Sequence, residues 1–341
     1  MKIIKVPGPH LAHLNLNIQS NDILFITDTF LQSDLENFLL KNNTPKYIVN
    51  NHYSFIENQI FAIHTVPWFL GATESMFFQR SPQIDIAKPN NNAIFNFMIN
   101  KKQINRYLCI KLVELFKLSN FNYTWSGVDN NTDMSGIIDE LDALGNNTLL
   151  TKNDRAIILA PVDLEPNFIN SPGATIIPNN CIVNYGGIKW TWNNGLNNIF
   201  RQSAISLITE SVMYQKAAIF TEKTAYAVMG LTFPIWIGGY RQAEEFEKIG
   251  FDIFSDIVDH SYQHYDTLIE RCYYAFEKNL QLLTDQNYTY ELRNSCMDRL
   301  KNNFELLKNF QTQKFCREQV STWPDELQVL VNPYFEEELD C

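Results

Sequence analysis

The sequence predicts an α/β protein in which two lobes, each built on a mostly parallel sheet, are followed by a C-terminal helical segment. Short apolar runs of strand length alternate with amphipathic stretches of helical spacing, and this alternation is typical of parallel sheets. The length of 341 residues is enough for two hydrophobic cores. Hydrophobic residues make up 45% of the chain and charged residues 19%, which is the composition of a globular protein.

The first lobe is predicted within residues 1–91. The run from Asp22 to Asp28 has the pattern of a buried strand that ends in a polar residue. The run from Leu31 to Lys41 has helical spacing, and Lys46 to Val49 returns to a strand pattern. This β-α-β order predicts a small open sheet.

The second lobe is predicted within residues 92–283. A strand from Ala93 to Ile99 precedes a helix between Gln103 and Leu118, and Phe121 to Trp125 resumes as a strand. Residues 128–200 are interrupted by breaks that contain glycine and proline, so we expect loops and an insertion there.

Strand and helix patterns return after residue 200. The run from Ser203 to Thr209 predicts a strand that ends at Glu210. Thr221 opens a helix that continues through Met229, and Thr232 to Ile237 predicts a further strand closed by two glycines. Amphipathic segments follow, and residues 284–341 are expected to form helices that pack back on the first lobe.

The charge, the apolar patterning and the cysteines argue against several classes of function. A net charge of -11 disfavours a surface that holds a polyanion such as nucleic acid. No apolar run is long enough for a membrane span or a signal peptide, so a cytoplasmic protein is expected. The six cysteines form no Cys-x-x-Cys pair and have no histidine at metal-ligand spacing, so we expect reduced thiols and no metal site.

The segment 207–239 carries the strongest indication of a ligand site. Ligands of open α/β sheets bind at the carboxyl ends of strands and at helix N-termini, and Glu210 and Thr221 occupy such positions. Free N–H groups and the dipole at this helix start favour a phosphate, and Lys223 adds a full positive charge. Either Glu210 or Glu222 is suited to accept hydrogen bonds from ribose hydroxyls. The same Thr-Glu-Lys pattern also describes an ordinary capped helix.

The order of these segments resembles the donor-binding half of α1,3-fucosyltransferase-like and exostosin-like glycosyltransferases, and more closely the related enzymes of phages and giant viruses. The matching segments are Ile208-Thr209-Glu210-Ser211, Thr221-Glu222-Lys223, the strand with Pro234 and Gly238-Gly239, Gly250-Phe251, and Asp259-His260-Ser261-Tyr262, with Asn96 to Arg106 as a further point of similarity. The resemblance covers about residues 92–280 and is specific only within 203–262. Ile-Thr-Glu-Ser stands where the fucosyltransferases have Phe-Glu-Asn, which leaves the donor base and sugar open.

The resemblance implies a GT-B-like architecture, in which two Rossmann-like lobes face a cleft and the second lobe holds a nucleotide-sugar as co-substrate. It implies an inverting, metal-independent reaction in which Arg106 and Lys223 bind the diphosphate. The donor-binding residues carried over are Arg106, Glu210, Thr221, Glu222, Lys223 and Tyr262. Arg106 can instead be a solvated helix residue, and Asp259 and Ser261 can simply cap the turn before Tyr262.

An inverting transfer needs a general base on the acceptor side of the cleft. The candidates in the first lobe are Asp28, His64 and Glu74, with Asp28 placed first because it follows a strand. Residues of these types are more often structural than catalytic.

Glycosyl transfer to a hydroxyl of a glycan, a protein or a small molecule is therefore the predicted function. One alternative keeps the reaction but makes the acceptor a modified DNA base, which the acidic charge disfavours. The other is a catalytically silent α/β protein that binds a nucleotide.

Overall fold

A computed structural model describes residues 2–7, 11, 14, 16–27, 32–42, 44–50, 53–56, 63–65, 92–99, 103–125, 135–144, 149–162, 197–210 and 216–331. Within these ranges the chain forms two four-stranded sheets and a two-stranded ribbon, together with helices. Every strand pair within the two larger sheets is parallel. The predicted fold class is confirmed at the level of an α/β protein with parallel sheets.

The first sheet has the strand order β1-β2-β3-β5. Its strands are β1 (Ile3–Pro7), β2 (Ile23–Thr27), β3 (Tyr47–Asn50) and β5 (Ile63–Thr65), and helix α1 (Gln32–Lys41) connects β2 to β3. The described side chains of β2 are all buried, because the strand lies between two neighbours and both of its faces are covered.

Two separate clusters cover the two faces of the first sheet. Leu24 and Ile26 of β2 pack with residues of α1, whereas Ile23 and Phe25 point to the opposite face, as the period of a strand requires. On that opposite face they meet the C-terminal end of the chain. The residues contributed there are Cys316 and Val320 of helix α12 (Thr312–Val320), Trp323, and Leu327 and Val331 of helix α13 (325–331).

The second sheet has the strand order β10-β8-β6-β7. Its strands are β6 (Ala93–Ile99), β7 (Phe121–Trp125), β8 (Ser203–Ile208) and β10 (Phe233–Trp236). From β6 the chain first adds β7 on one side and later returns to add β8 on the other. The direction of strand addition therefore reverses between β6 and β8, and such a switch point opens a crevice at the carboxyl ends of the strands.

Eleven helical segments surround the second sheet in the part of the chain that the structure describes. They are α2 (Ile104–Leu115), α3 (Ser135–Ala143), α4 (Lys152–Leu159), α5 (Asn197–Gln202), α6 (Glu222–Met229), α7 (Gln242–Lys248), a 3-10 helix (Ser261–His264), α8 (Leu268–Glu277), α9 (Leu280–Thr284), α10 (Gln286–Ser295) and α11 (Met297–Lys308).

Helices α3, α4 and α5 correct the expectation of loops between residues 128 and 200. Helix α4 begins with a capping box, in which Thr151 and Asp154 each bind the other's backbone N–H. A Thr-x-x-Asp pair is a local start signal that the nearby glycines obscured. Residues 163–196 of this stretch lie outside the described ranges.

The C-terminal helices differ from the prediction in what they cover. Leu300, Phe304 and Leu307 of α11 lie in the core of the second sheet, so packing on the first sheet does not begin at residue 284. It begins with α12, where Cys316 reaches the first sheet. The apolar stripe of α11 predicts burial but carries no information on which sheet buries it.

A short antiparallel ribbon joins the two parts of the chain. Strand β4 (Tyr53–Ile56) pairs with β9 (Ala217–Ile219), and both Ala217 and Ile219 lie in a core cluster of the first sheet. The segment that follows β9 leads directly into α6, so the start of α6 lies beside the contact between the two parts. No described helix is long and apolar enough to cross a membrane.

Candidate functional site

The switch point of the second sheet gathers most of the residues that the sequence singled out. Asn105 and Arg106 lie in the first turn of α2, which follows β6, and Thr209 and Glu210 follow β8. The Nδ2 group of Asn105 donates to the carbonyl of Glu210 at 3.1 Å, and Nε of Arg106 donates to the carbonyl of Thr209 at 3.3 Å. These two hydrogen bonds hold the start of α2 against the end of β8.

The Glu210 carboxylate holds the start of α6. It is fully buried, and Oε1 accepts the Thr221 backbone N–H at 2.8 Å and the Thr224 hydroxyl at 2.7 Å. Oε2 accepts the Thr221 hydroxyl. Burial raises the pKa of Glu210 above its ordinary value, although the Lys223 charge and the threonine hydrogen bonds oppose that shift.

This geometry corrects the role expected of Glu210. Nucleotide or sugar contact was expected, but both carboxylate oxygens already accept hydrogen bonds from protein donors. A buried carboxylate needs such donors to offset the loss of water. Glu210 therefore positions the first turn of α6, from which Glu222 and Lys223 project.

Glu222 and Lys223 form an ion pair at the N-terminus of α6. Nζ of Lys223 lies 2.7 Å from Oε1 of Glu222, and Thr221 caps the helix by accepting the Lys223 N–H at 3.4 Å. Burial raises the pKa of Glu222, but the neighbouring ammonium outweighs it and the net pKa is lowered. The Glu222 side chain is 31% exposed and that of Lys223 is 9% exposed, so this pair has access to solvent where Glu210 has none.

Arg106 completes the charged cluster. Its side chain is buried, and burial lowers the pKa of the guanidinium, while the carboxylates of Glu210 and Glu222 raise it. Two cations and two carboxylates thus share the switch point. An anionic ligand would have to compete with Glu222 for the Lys223 ammonium, and it would gain the dipole of α6 in addition.

The end of β10 connects this cluster to the segment 259–262. Nε1 of Trp236 donates to the Thr224 hydroxyl at 3.0 Å, and the His260 ring lies 5.7 Å from the Trp236 ring. Tyr262 is fully buried in the core of the second sheet, where burial raises the pKa of its hydroxyl. Tyr262 was expected to bind the donor, but its buried side chain packs in the core instead.

The Asp259 carboxylate caps the turn before Tyr262. It accepts the Ser261 N–H at 2.8 Å and the Ser261 hydroxyl at 2.6 Å. Asp259 and Ser261 therefore cap the turn, as one of the two interpretations of this segment predicted. Nε2 of His260 lies 2.9 Å from the Ile253 carbonyl, so this nitrogen carries the proton. Burial lowers the pKa of His260 to about 4.

The three candidate bases belong to a part of the chain that is described only in fragments. Asp28 and Glu74 lie outside the described residues. His64 is in β5, where its backbone pairs in register with Val49 of β3, and its side chain lies outside the description. Their role in catalysis stays a prediction.

A separate open cleft of about 520 Å³ lies between α7 and residues 253–264. Its described lining includes Glu244, Asp256, Asp259, His260 and His264, and it does not include the charged cluster at the switch point. The lining carboxylates are engaged with other side chains of the protein. Glu244 pairs with Arg241 and His264, Asp256 with Arg299, and Asp259 lies 4.0 Å from Lys278.

Sequence reasoning missed the uncharged residues that organise the site. Asn105, Thr224, Trp236 and Gln242 are all buried at the carboxyl edge of the second sheet and all make side-chain hydrogen bonds there. The available signal was polarity in an otherwise apolar setting, as in Asn105 next to the apolar face of α2. This polarity identifies a site residue only once the neighbouring strand, which provides its hydrogen-bond partner, is known.

Comparisons with protein-family models, with curated proteins and with solved structures find no match to this chain. Among the described residues, no group of three or more histidine, cysteine, aspartate or glutamate side chains is arranged to hold a metal ion.

Proposed function

We propose that this protein is a glycosyltransferase of the GT-B type that binds a nucleotide-sugar at the switch point of its second sheet and transfers the sugar to a hydroxyl acceptor. The observation that carries the proposal is the convergence of Arg106, Lys223 and the N-terminus of α6 at the carboxyl ends of β6 and β8. This is the location at which open parallel sheets bind nucleotides. The motif resemblance independently assigns the same residues to the diphosphate.

The proposed roles follow from charge and access. The Lys223 ammonium leaves the Glu222 carboxylate and pairs with the diphosphate. Arg106, beside the end of β8, supplies a second positive charge. As the acceptor oxygen bonds to the anomeric carbon, the bond from that carbon to the diphosphate breaks and the leaving group gains negative charge. Lys223, once released from Glu222, stabilises this charge together with Arg106 and the dipole of α6. The acceptor proton passes to a base, for which Asp28, His64 and Glu74 are the proposed candidates.

The test is a thermal-shift panel of nucleotide-sugars and ribonucleoside diphosphates, because a ligand that binds only the folded chain raises its melting temperature. In this panel Lys223→Ala should weaken binding of the diphosphate by about tenfold or more, since a charge-assisted contact is lost. Sugar transfer should fall with it and should persist in the presence of EDTA.

Lys248→Ala is the matched control, because Lys248 also pairs with a glutamate, at 2.5 Å from Glu245, but on the exposed side of α7. It should bind and turn over like the wild type. Wild-type turnover in Lys223→Ala would contradict the proposed site, and loss of activity on chelation would contradict metal independence. Nucleotide binding without transfer to any acceptor would instead support a silent nucleotide-binding protein.

A further inference from the structure

Two buried carboxamides beside the switch point each have one oxygen without a hydrogen-bond donor among the described residues. They belong to Asn105, which is 1% exposed, and Gln242, which is 0% exposed. A buried acceptor that lost water and gained no donor is unfavourable, and proteins retain few of them. Such atoms point to a donor that the described residues do not supply.

The orientation of each amide is determined by the hydrogen bond that its nitrogen donates. Nδ2 of Asn105 donates to the carbonyl of Glu210, and Nε2 of Gln242 donates to the carbonyl of Ile219. A carbonyl can only accept, so the nitrogen must face it and the oxygen must face away. Neither side chain can satisfy its oxygen by flipping.

The two side chains flank one turn at the end of β10. A Cβ atom placed on Gly238 would lie 3.4 Å from Cβ of Asn105, and one placed on Gly239 would lie 3.4 Å from Oε1 of Gln242. Gly238 has a φ of +80°, which favours glycine. Of the two residues whose carbonyls hold the amides, Ile219 lies two residues before Thr221, the N-cap of α6, and Glu210 binds Thr221 through its carboxylate. Both acceptors therefore belong to the immediate surroundings of the proposed diphosphate site.

We propose that Asn105 and Gln242 recognise the ribose of the bound nucleotide, each accepting a hydrogen bond from one ribose hydroxyl. This inference rests on the proposed function. Each amide nitrogen already donates to a backbone carbonyl, whereas each amide oxygen has no donor among the described residues, so a ligand hydroxyl can donate to either oxygen. The ribose is bonded directly to the diphosphate, so its hydroxyls lie within a few bonds of the phosphates proposed to contact Lys223 and Arg106. A site with buried acceptors rejects a ligand that lacks the matching hydroxyl.

The experiment measures the affinity of the full chain for UDP, GDP, ADP and CDP by calorimetry, and then for the 2′-deoxy and 3′-deoxy forms of the one that binds best. The wild type should bind the ribonucleotide roughly tenfold or more tightly than either deoxy form. Asn105→Leu should reduce one of these two ratios to about one, and Gln242→Leu should reduce the other.

Asn96→Leu is the matched control. Asn96 is equally buried, its Nδ2 donates to the carbonyl of Ile205, and its Oδ1 also has no donor in the described ranges, but it lies within β6. This variant should keep both wild-type ratios. Asn105→Asp and Gln242→Glu, which retain an acceptor oxygen and lose the amide donor, should keep the ratios even where overall binding weakens.

Failure of the inference can be told apart from failure of the proposed function. A nucleotide that binds the wild type with equal affinity in its ribo and deoxy forms overturns the ribose assignment and leaves the nucleotide site standing. That measurement requires no variant to fold. Wild-type ratios in both leucine variants have the same meaning, whereas absence of binding by all four ribonucleoside diphosphates overturns both proposals.

Discussion

The second sheet is covered largely by helices that follow its own strands, whereas one face of the first sheet is covered by the far end of the chain. The core of the second sheet runs from Ile94 to Phe310. The face of the first sheet that contains Ile23 and Phe25 is completed only by residues from Cys316 onward. The first sheet therefore depends on contacts between residues separated by about the length of the whole chain, and such contacts form at a high entropic cost.

Deletion of residues 311–341 should give the largest effect, because it uncovers one face of the first sheet. Five buried side chains of the C-terminal segment are removed from that core, among them Trp323 and Leu327. Each large apolar side chain removed from a core costs about 2–5 kcal/mol, so the first sheet should lose its stable fold. Hydrogen exchange should show fast exchange of the β1, β2 and β3 amides while those of β6 and β8 stay protected.

Leu300→Ala is the control for this comparison, since Leu300 is equally buried but lies in the core of the second sheet. It should destabilise by about 2–5 kcal/mol and speed exchange in the second sheet instead. Uniform exchange of both sheets after the C-terminal deletion would show that the two sheets unfold as one unit.

The next effect concerns two histidines four residues apart. His260 is packed against Trp236 and has a pKa of about 4, whereas His264 is 55% exposed and pairs with Glu244 at 2.9 Å. Between pH 6.5 and about 4 the unfolded chain binds a proton at His260 that the folded chain does not. Stability should therefore fall as the pH decreases through this window, by about 2–3 kcal/mol for this residue.

His260→Gln should remove that part of the pH dependence, because glutamine retains a donor for the Ile253 carbonyl and does not titrate. His264→Gln should leave it in place. Denaturant unfolding at pH 7 and pH 4.5 measures the difference. A wild-type slope in His260→Gln would mean that the imidazole is not kept neutral by burial.

The smallest expected effect compares two buried carboxylates at opposite edges of the sheets. Asp22 lies before β2 and accepts the N–H groups of Gln19 at 2.9 Å and Lys2 at 3.1 Å. The Gln19 hydrogen bond lowers its pKa, whereas burial raises the pKa of Glu210. Asp22 therefore contributes stability that is present above its ordinary pKa and is lost as the pH falls through its folded pKa. The contribution of Glu210 is present below its ordinary pKa and is lost as the pH rises.

Asp22→Asn and Glu210→Gln should consequently change the pH dependence of unfolding in opposite directions. The stability deficit of Asp22→Asn relative to the wild type should grow from pH 3 to pH 7, and that of Glu210→Gln should shrink over the same range. Parallel chemical denaturation series measure both. Slopes of the same sign would show that the Glu210 carboxylate is stabilised in its charged form by Lys223 and its threonine donors.

The α/β class and the positions of most strands could be predicted from local pattern alone. Strands β2, β6, β8 and β10 are short apolar runs bounded by polar residues, and α6 begins at Glu222 because the preceding Thr221 caps it. Each of these signals lies within a few residues of the element it specifies. The prediction of loops between residues 128 and 200 was wrong at α4, because neighbouring glycines obscured its N-terminal cap.

Which sheet each helix packs against could not be predicted from local pattern. The stripe of α11 and the stripe of the C-terminal end both predict burial, but only the folded chain assigns Leu300 to the second sheet and Leu327 to the first. The reason is that amphipathicity measures how apolar one face is, and not which surface complements it.

The sequence by itself determined the charged residues of the candidate site, since Arg106, Glu222 and Lys223 stand at recognisable helix starts. Only the tertiary structure decided that β6 and β8 are neighbours, and hence that Arg106 lies beside the end of β8. It also decided that the Glu210 carboxylate holds the start of α6 and that Oδ1 of Asn105 has no donor within the described part of the chain. Hydrogen bonds between residues about a hundred positions apart depend on the strand order, which no local pattern of side chains encodes.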